Sequence, residues 1–205
     1  MVLAFAETLK QKLETVGHCE VYLTREVDTF ISLRNRVEFA QSKGADLFLS
    51  IHADSIPNRV EQASGATVYT LSEQASDKDA KELAAQENLS DAIAGFEGAE
   101  GSDEVVANIL IDLAQRETQN RSIIFARSVI GELRGKMDLH AHSLKSAGFR
   151  VLKAPDVPSV LLELGFLSNP ENEKRLTSAS WRAKMAGTVA EAIDAYLAKR
   201  RARLP

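Results

Sequence analysis

Two apolar runs in the sequence each stop on an ionisable residue. Leu47-Phe48-Leu49-Ser50-Ile51 runs into His52, with Asp54 two residues on. Ser159-Val160-Leu161-Leu162 runs into Glu163, followed by Leu164-Gly165-Phe166. Such runs are the pattern of strands buried on both faces of a parallel sheet. Ligands of open α/β sheets bind at the carboxyl ends of the strands. A neutral imidazole is a common metal ligand, and a carboxylate beside a metal can take a proton from water. Taken singly, each has an ordinary reading: His52 as a hydrogen-bonded core histidine, Glu163 as the partner of a buried arginine. Together they favour a site, because a buried carboxylate needs a charge partner. Asp54 is a candidate for orienting a ligand or the strand end, as carboxylates behind metal ligands do.

Other residue pairs point less clearly to chemistry. His140-Ala141-His142 lies among Lys136, Asp138 and Lys145, which reads as a polar helix end on the surface. His18 and Cys19 follow Gly17 and read as a turn. No GxSxG is present, which disfavours a hydrolase with Ser, His and Asp at a nucleophile elbow. The Gly131 to Met137 string lacks the spacing and hydroxyl of a phosphate-binding loop, and HExxH is absent.

These residues need elements to hold them. Leu3, Ala6, Leu9, Leu13 and Val16 recur at helical spacing before Gly17. Glu20 to Arg25 is rich in strand formers. Ser32 caps a helix carrying Leu33, Val37 and Ala40, closed by Gly44. Ala66 to Thr70 and Phe149 to Leu152 read as further strands. Ser76 opens a capping box for a short helix through Glu87. Long helices are expected from Asp103 to Leu133 and from about Ser180 to Lys199, and Lys199 to Arg203 reads as a solvated, frayed basic tail. Strands alternating with helices give the α/β class: a mostly parallel sheet flanked by helices on both faces. Between Leu71 and Glu104 stand ten acidic residues against Lys78 and Lys81. We read about 71–101 as a helical acidic insertion.

At 205 residues the chain fits one domain. With 44% hydrophobic residues, a core can form without a disulfide or metal staple. The net charge of −4 and 6% aromatic content argue against nucleic acid as the main partner. No apolar run is long enough to span a membrane. The single cysteine excludes a CxxC redox site and a cysteine-rich zinc module. The first helix starts almost at Met1, with no cap residue and no strand before it, and no signal peptide is legible. The expectation is that an element normally preceding this helix is missing from the sequence.

Leu23-Thr24-Arg25, Ser32 to Arg36, Ala45 to Asp54, Phe149 to Glu163 and Gly165 to Asn169 resemble the zinc-dependent N-acetylmuramoyl-L-alanine amidases over nearly the whole chain. The acidic insertion resembles that of the cell-division members, which split septal peptidoglycan in Gram-negative bacteria. The resemblance implies a single catalytic domain over 1–205, incomplete at its N-terminus, with a regulatory segment at about 71–101. It implies zinc as cofactor, His52 as a metal ligand and Glu163 as the catalytic glutamate. The family's first histidine and metal-binding glutamate belong to a leading strand and the start of the first helix, and this sequence has neither. Ala84 to Asp91 resembles the family's blocking helix, with Glu87 as an inhibitory ligand on the zinc. The activity implied by the resemblance is hydrolysis of the bond between muramic acid and L-alanine in peptidoglycan during daughter-cell separation. The enzyme would be periplasmic and released from autoinhibition by a septal activator protein. The alternative is a metal-free, non-catalytic peptidoglycan-binding or regulatory protein.

Overall fold

Strand ends can form a site only if a sheet brings them together, and four short segments build that sheet. In the computed structural model, which describes residues 1–55, 64–95 and 109–202, the strands are β1 (Phe48–His52), β2 (Ala66–Leu71), β3 (Leu139–Ala147) and β4 (Ser159–Glu163). They lie in the order β1-β4-β2-β3. The β1–β4 and β2–β3 pairings are parallel, and the β2–β4 pairing is antiparallel. The sheet is therefore mostly parallel, as expected, with one reversal at its centre. That reversal brings the carboxyl ends of β1 and β4 to the same edge as the start of β2.

The helices are α1 (Val2–Val16), α2 (Leu33–Ser42), α3 (Lys78–Asn88), α4 (Ser90–Ile93), α5 (Ile109–Leu133), α6 (Pro170–Thr177) and α7 (Ala179–Arg201). Strand alternation divides them between two layers. Val160, Leu162, Ala66 and Val68 face a core built with Phe5, Leu9 and Leu13 of α1, Phe125 and Val129 of α5, and Met185 and Val189 of α7. Leu161 and Tyr69 face the opposite core, with Leu33 of α2 and Ala80, Leu83 and Ala84 of α3. Local chemistry sets the helix ends. Gly17 closes α1 in the left-handed region at φ 74°. The Ser32 and Ser178 hydroxyls accept from the Asn35 and Trp181 amides, and Asn169 caps α6 ahead of Pro170.

Five expectations need correction. Glu20 to Arg25 is not a strand. It lines a cavity of about 560 Å³ that also touches Leu47, Leu49 and Ile51, so its strand formers find no ladder to join. Phe149 to Leu152 gives way to a 3₁₀ turn, Arg150–Leu152, and the neighbouring strand is β3 instead. His140 and His142 consequently sit on a strand rather than a helix end. The cap of α3 is Asp77, whose carboxylate accepts from the Ala80 amide; the Ser76 hydroxyl accepts from the Ser146 amide. Arg200 and Arg201 are not frayed: Arg200 pairs with Asp46 at 2.8 Å and Arg201 donates to the His18 carbonyl at 3.1 Å. The helix expected from Asp103 is described from Ile109, and residues 103–108 lie outside the described segments.

Leu162 is fully buried at the centre of the larger core. Leu162→Ala is expected to cost about 2–5 kcal/mol, read from the urea midpoint of unfolding. A loss below about 1 kcal/mol would contradict this packing.

Candidate metal centre

The register of β1 against β4 sets Phe48 beside Ser159 and ends with His52 beside Glu163. Thr67, at the start of β2, opposes Glu163 from the other side. Beyond the strand end the chain stays pinned: the Leu164 amide donates to the His52 carbonyl at 3.0 Å, and the Leu167 amide to the Asp54 carbonyl at 2.7 Å. The two residues singled out from the apolar runs thus stand side by side at one rim. Asp54 joins them, its amide donating to Glu163 Oε2 at 3.2 Å.

Helix α3 brings the fourth group. Ala80, Leu83 and Ala84 pack onto the sheet face that carries Leu161 and Tyr69. Glu87 continues that stripe at i+7 from Ala80, so the same helical face that buries apolar side chains delivers a carboxylate. Its Oε2 lies 3.1 Å from His52 Nδ1. Asp54 Oδ2 is 3.6 Å from the same nitrogen, and Ser50 Oγ is 3.0 Å from Nε2 on the ring's far side. The helix is pinned at both ends. Asp77 pairs with the buried Lys145 at 3.2 Å. The Asn88 side-chain amide donates to the Gly148 carbonyl, and its oxygen accepts from the Arg150 amide. In the next turn Asp91 accepts from the Leu33 amide at 2.9 Å.

The crowding of carboxylates around one imidazole shifts the titration of His52, Asp54 and Glu163. Burial alone would lower His52, but the close contacts with Asp54 and Glu87 and the charges of Glu163 and Glu87 hold it up at about 10. Glu163, with no exposed surface, is raised well above the usual carboxylate range by burial and by the Asp54 charge. Asp54 stays low, because contact with His52 outweighs its own burial. Glu163 Oε1 and Asp54 Oδ2 are buried without a hydrogen-bond partner. Such oxygens are costly unless a cation or proton meets them. Donor atoms of His52, Asp54 and Glu87 all lie within 4.8 Å of one another. One imidazole nitrogen with carboxylate oxygens is a donor set for a divalent metal ion, so these residues fit a divalent cation. Among the described residues His140 and His142 form no such group: the His142 amide donates to His140 Nδ1 at 3.0 Å, and the ring of His140 meets Phe166. His18 pairs with Asp194 at 2.8 Å.

In sequence Asp54 reads only as a supporting residue, and Ser50 is not singled out. Both carried a legible signal. In Ser50-Ile51-His52-Ala53-Asp54 the polar residues alternate, and period two in a strand puts them on one face. Lys145, which reads in sequence as part of a polar surface helix end, is only 5% exposed; nothing in the sequence separates a buried lysine from any other.

A family model described as N-acetylmuramoyl-L-alanine amidase matches residues 1–195. The chain is 41% identical over 200 residues to N-acetylmuramoyl-L-alanine amidase AmiC of one Escherichia coli strain, covering 97% of this chain and 47% of AmiC. It is 41% identical over 197 residues to AmiA of another Escherichia coli strain, covering 96% of this chain and 67% of AmiA. It therefore spans about half the length of the first relative and about two thirds of the second. Among solved structures, the catalytic domain of the amidase CwlV from Bacillus (Paenibacillus) polymyxa superposes with a TM-score of 0.62 at 23% identity, covering 96% of this chain and 82% of that one. At that identity the likeness is one of fold.

The clamp on α3 titrates. Burial pushes Asp77 up, but the Ala80 amide and Lys145 outweigh it and hold it below its ordinary value. A carboxyl lowered on folding contributes stability above its unfolded value, near 4, and loses it as pH falls through the folded value. Amide-exchange protection of α3 is expected to fall below about pH 4 in the unaltered chain. In Asp77→Asn it should already be lower at pH 7 and change less with acid. Equal acid dependence in both would remove the clamp.

Proposed function

The chain belongs to the N-acetylmuramoyl-L-alanine amidase family, and from that membership we propose that it hydrolyses the amide bond between N-acetylmuramic acid and L-alanine in peptidoglycan, with zinc as cofactor. The observation that carries this reading is the convergence of His52, Asp54, Glu87 and Glu163 at one rim of the sheet. Residues 1–205 serve as one catalytic domain, and the segment of about 71–101, described as far as Gly95, serves as its regulator.

His52 and Asp54 would hold the metal, His52 through Nδ1. The chemistry a bound zinc supplies is Lewis acidity towards the amide carbonyl and acidification of water. Glu163 is the base. Its Oε2 is fixed by the Asp54 amide while Oε1 is left free, and a raised carboxylate suits taking a proton from water and passing it to the leaving amine of L-alanine. Glu87 serves the resting state. Held against the imidazole by α3, it would compete with water for a zinc bound there. Release then requires a partner that binds the displaced helix better than the docked one. We assign that role to a septal activator protein, and the setting to the periplasm during daughter-cell separation. Among the described residues no helix is long and apolar enough to cross a membrane.

Purified chain supplied with zinc and incubated with peptidoglycan should release new L-alanine amino termini at a low basal rate, and a chelator should stop it. Glu163→Gln is expected to lower that rate by about 100-fold or more with zinc still bound. A chain that takes up no zinc and releases no termini supports the metal-free, non-catalytic reading instead. Glu87→Ala should raise the basal rate without activator, read as the same amino-terminus release. An unchanged rate in zinc-loaded protein would remove autoinhibition by α3.

A further inference from the structure

We propose that Ser50 is a positioning residue for the metal centre: its buried hydroxyl fixes the His52 ring so that Nδ1 faces the carboxylates while Nε2 keeps its proton. The proposal rests on the reading above that His52 is a ligand.

Ser50 and His52 are two residues apart in β1 and share the sheet face that α3 covers. Ser50 Oγ is 3.0 Å from His52 Nε2, and the opposite ring nitrogen meets Glu87 at 3.1 Å and Asp54 at 3.6 Å. A neutral imidazole that gives one nitrogen to a metal must carry its proton on the other. The hydroxyl oxygen is there to accept it. Turning the ring over would set carbon atoms against both the hydroxyl and the carboxylates, so one hydrogen bond selects both the tautomer and the ring orientation. Partners of this kind behind a metal-bound histidine also raise the basicity of the ligating nitrogen.

Ser50, His52 and Glu87 have the chemistry of a hydrolytic triad: hydroxyl on one ring nitrogen, carboxylate on the other. Placement argues against that use. Ser50 is 5% exposed and lies two residues back along β1 from the rim, with Leu161 of β4 beside it. A substrate carbonyl would have to pass His52 and enter the sheet to meet Oγ. The hydroxyl can hold the ring but cannot attack.

The test measures zinc affinity by competition with a chromophoric chelator for the unaltered 205-residue chain, Ser50→Ala and Ser50→Thr. Ser50→Ala is expected to bind about 10- to 100-fold more weakly. Ser50→Thr keeps the hydroxyl and should recover most of that loss. Nitrogen-15 spectra of the zinc-loaded forms should show a slowly exchanging Nε2 proton on His52 in the unaltered chain and in Ser50→Thr, and a fast one in Ser50→Ala. Matching thermal melts of the zinc-free proteins would show that the fold is not the cause. Equal zinc affinity and equal proton exchange in all three would overturn the role of Ser50 while leaving His52 a ligand. If the unaltered chain takes up no zinc, the ligand reading itself fails and the proposal falls with it.

Discussion

The centre of this molecule is an imbalance of charge. One imidazole is asked to satisfy Asp54, Glu87 and Glu163 in a pocket largely closed to water. Carboxylates this close cannot all remain ionised around a single positive group. The chain answers in three ways. His52 holds its proton far above its ordinary range, burial and the Asp54 charge push Glu163 above the usual carboxylate range, and Asp54 and Glu87 crowd the imidazole. A divalent cation would answer all of this at once, and the two buried carboxylate oxygens without hydrogen-bond partners, on Asp54 and Glu163, fit such a charge.

That imbalance explains why α3 is attached as it is. Its apolar contribution to the sheet face is small, chiefly Ala80, Leu83 and Ala84. The rest of its attachment is polar and sits at its ends: Asp77 on Lys145, Asn88 on Gly148 and Arg150, and Asp91 of α4 on Leu33. Apart from the pair on the buried Lys145, these bonds lie near the surface, where each contributes little net free energy. A helix held by few apolar contacts and several such bonds can be displaced without unfolding the sheet, which keeps its own larger core with α1, α5 and α7. This fits the proposed resting state, in which the helix that blocks the centre must also be able to leave it.

Much of the site is legible in the sequence. Apolar runs ending in His52 and Glu163 fixed both side chains to strand ends, and burial on both faces restricted where those ends could go. Gly17, Ser32 and the apolar spacing of α1, α2 and α7 marked their helices within a residue or two. Other elements were misread for physical reasons. Glu20 to Arg25 has the residues of a strand but lines a cavity instead of a ladder. β3 carries polar residues at its exposed edge and shows no clean alternation. Its register also slips: Ala66 pairs with Leu139 but Val68 with Leu144, so an irregularity interrupts the period that would have revealed it.

By itself, then, the sequence determined the α/β class, most helix boundaries and the identity of the acid and imidazole at the strand ends, because periodicity and capping are local and leave local traces. Only the tertiary structure decided which groups meet. His52 and Glu163, far apart along the chain, are made neighbours by strand register. Glu87 reaches the imidazole because α3 lies across that sheet face, and the partner of Nε2 is Ser50 because the ring turns that way. Contacts of this kind depend on how layers stack and how a ring is oriented, and no spacing along the chain records either.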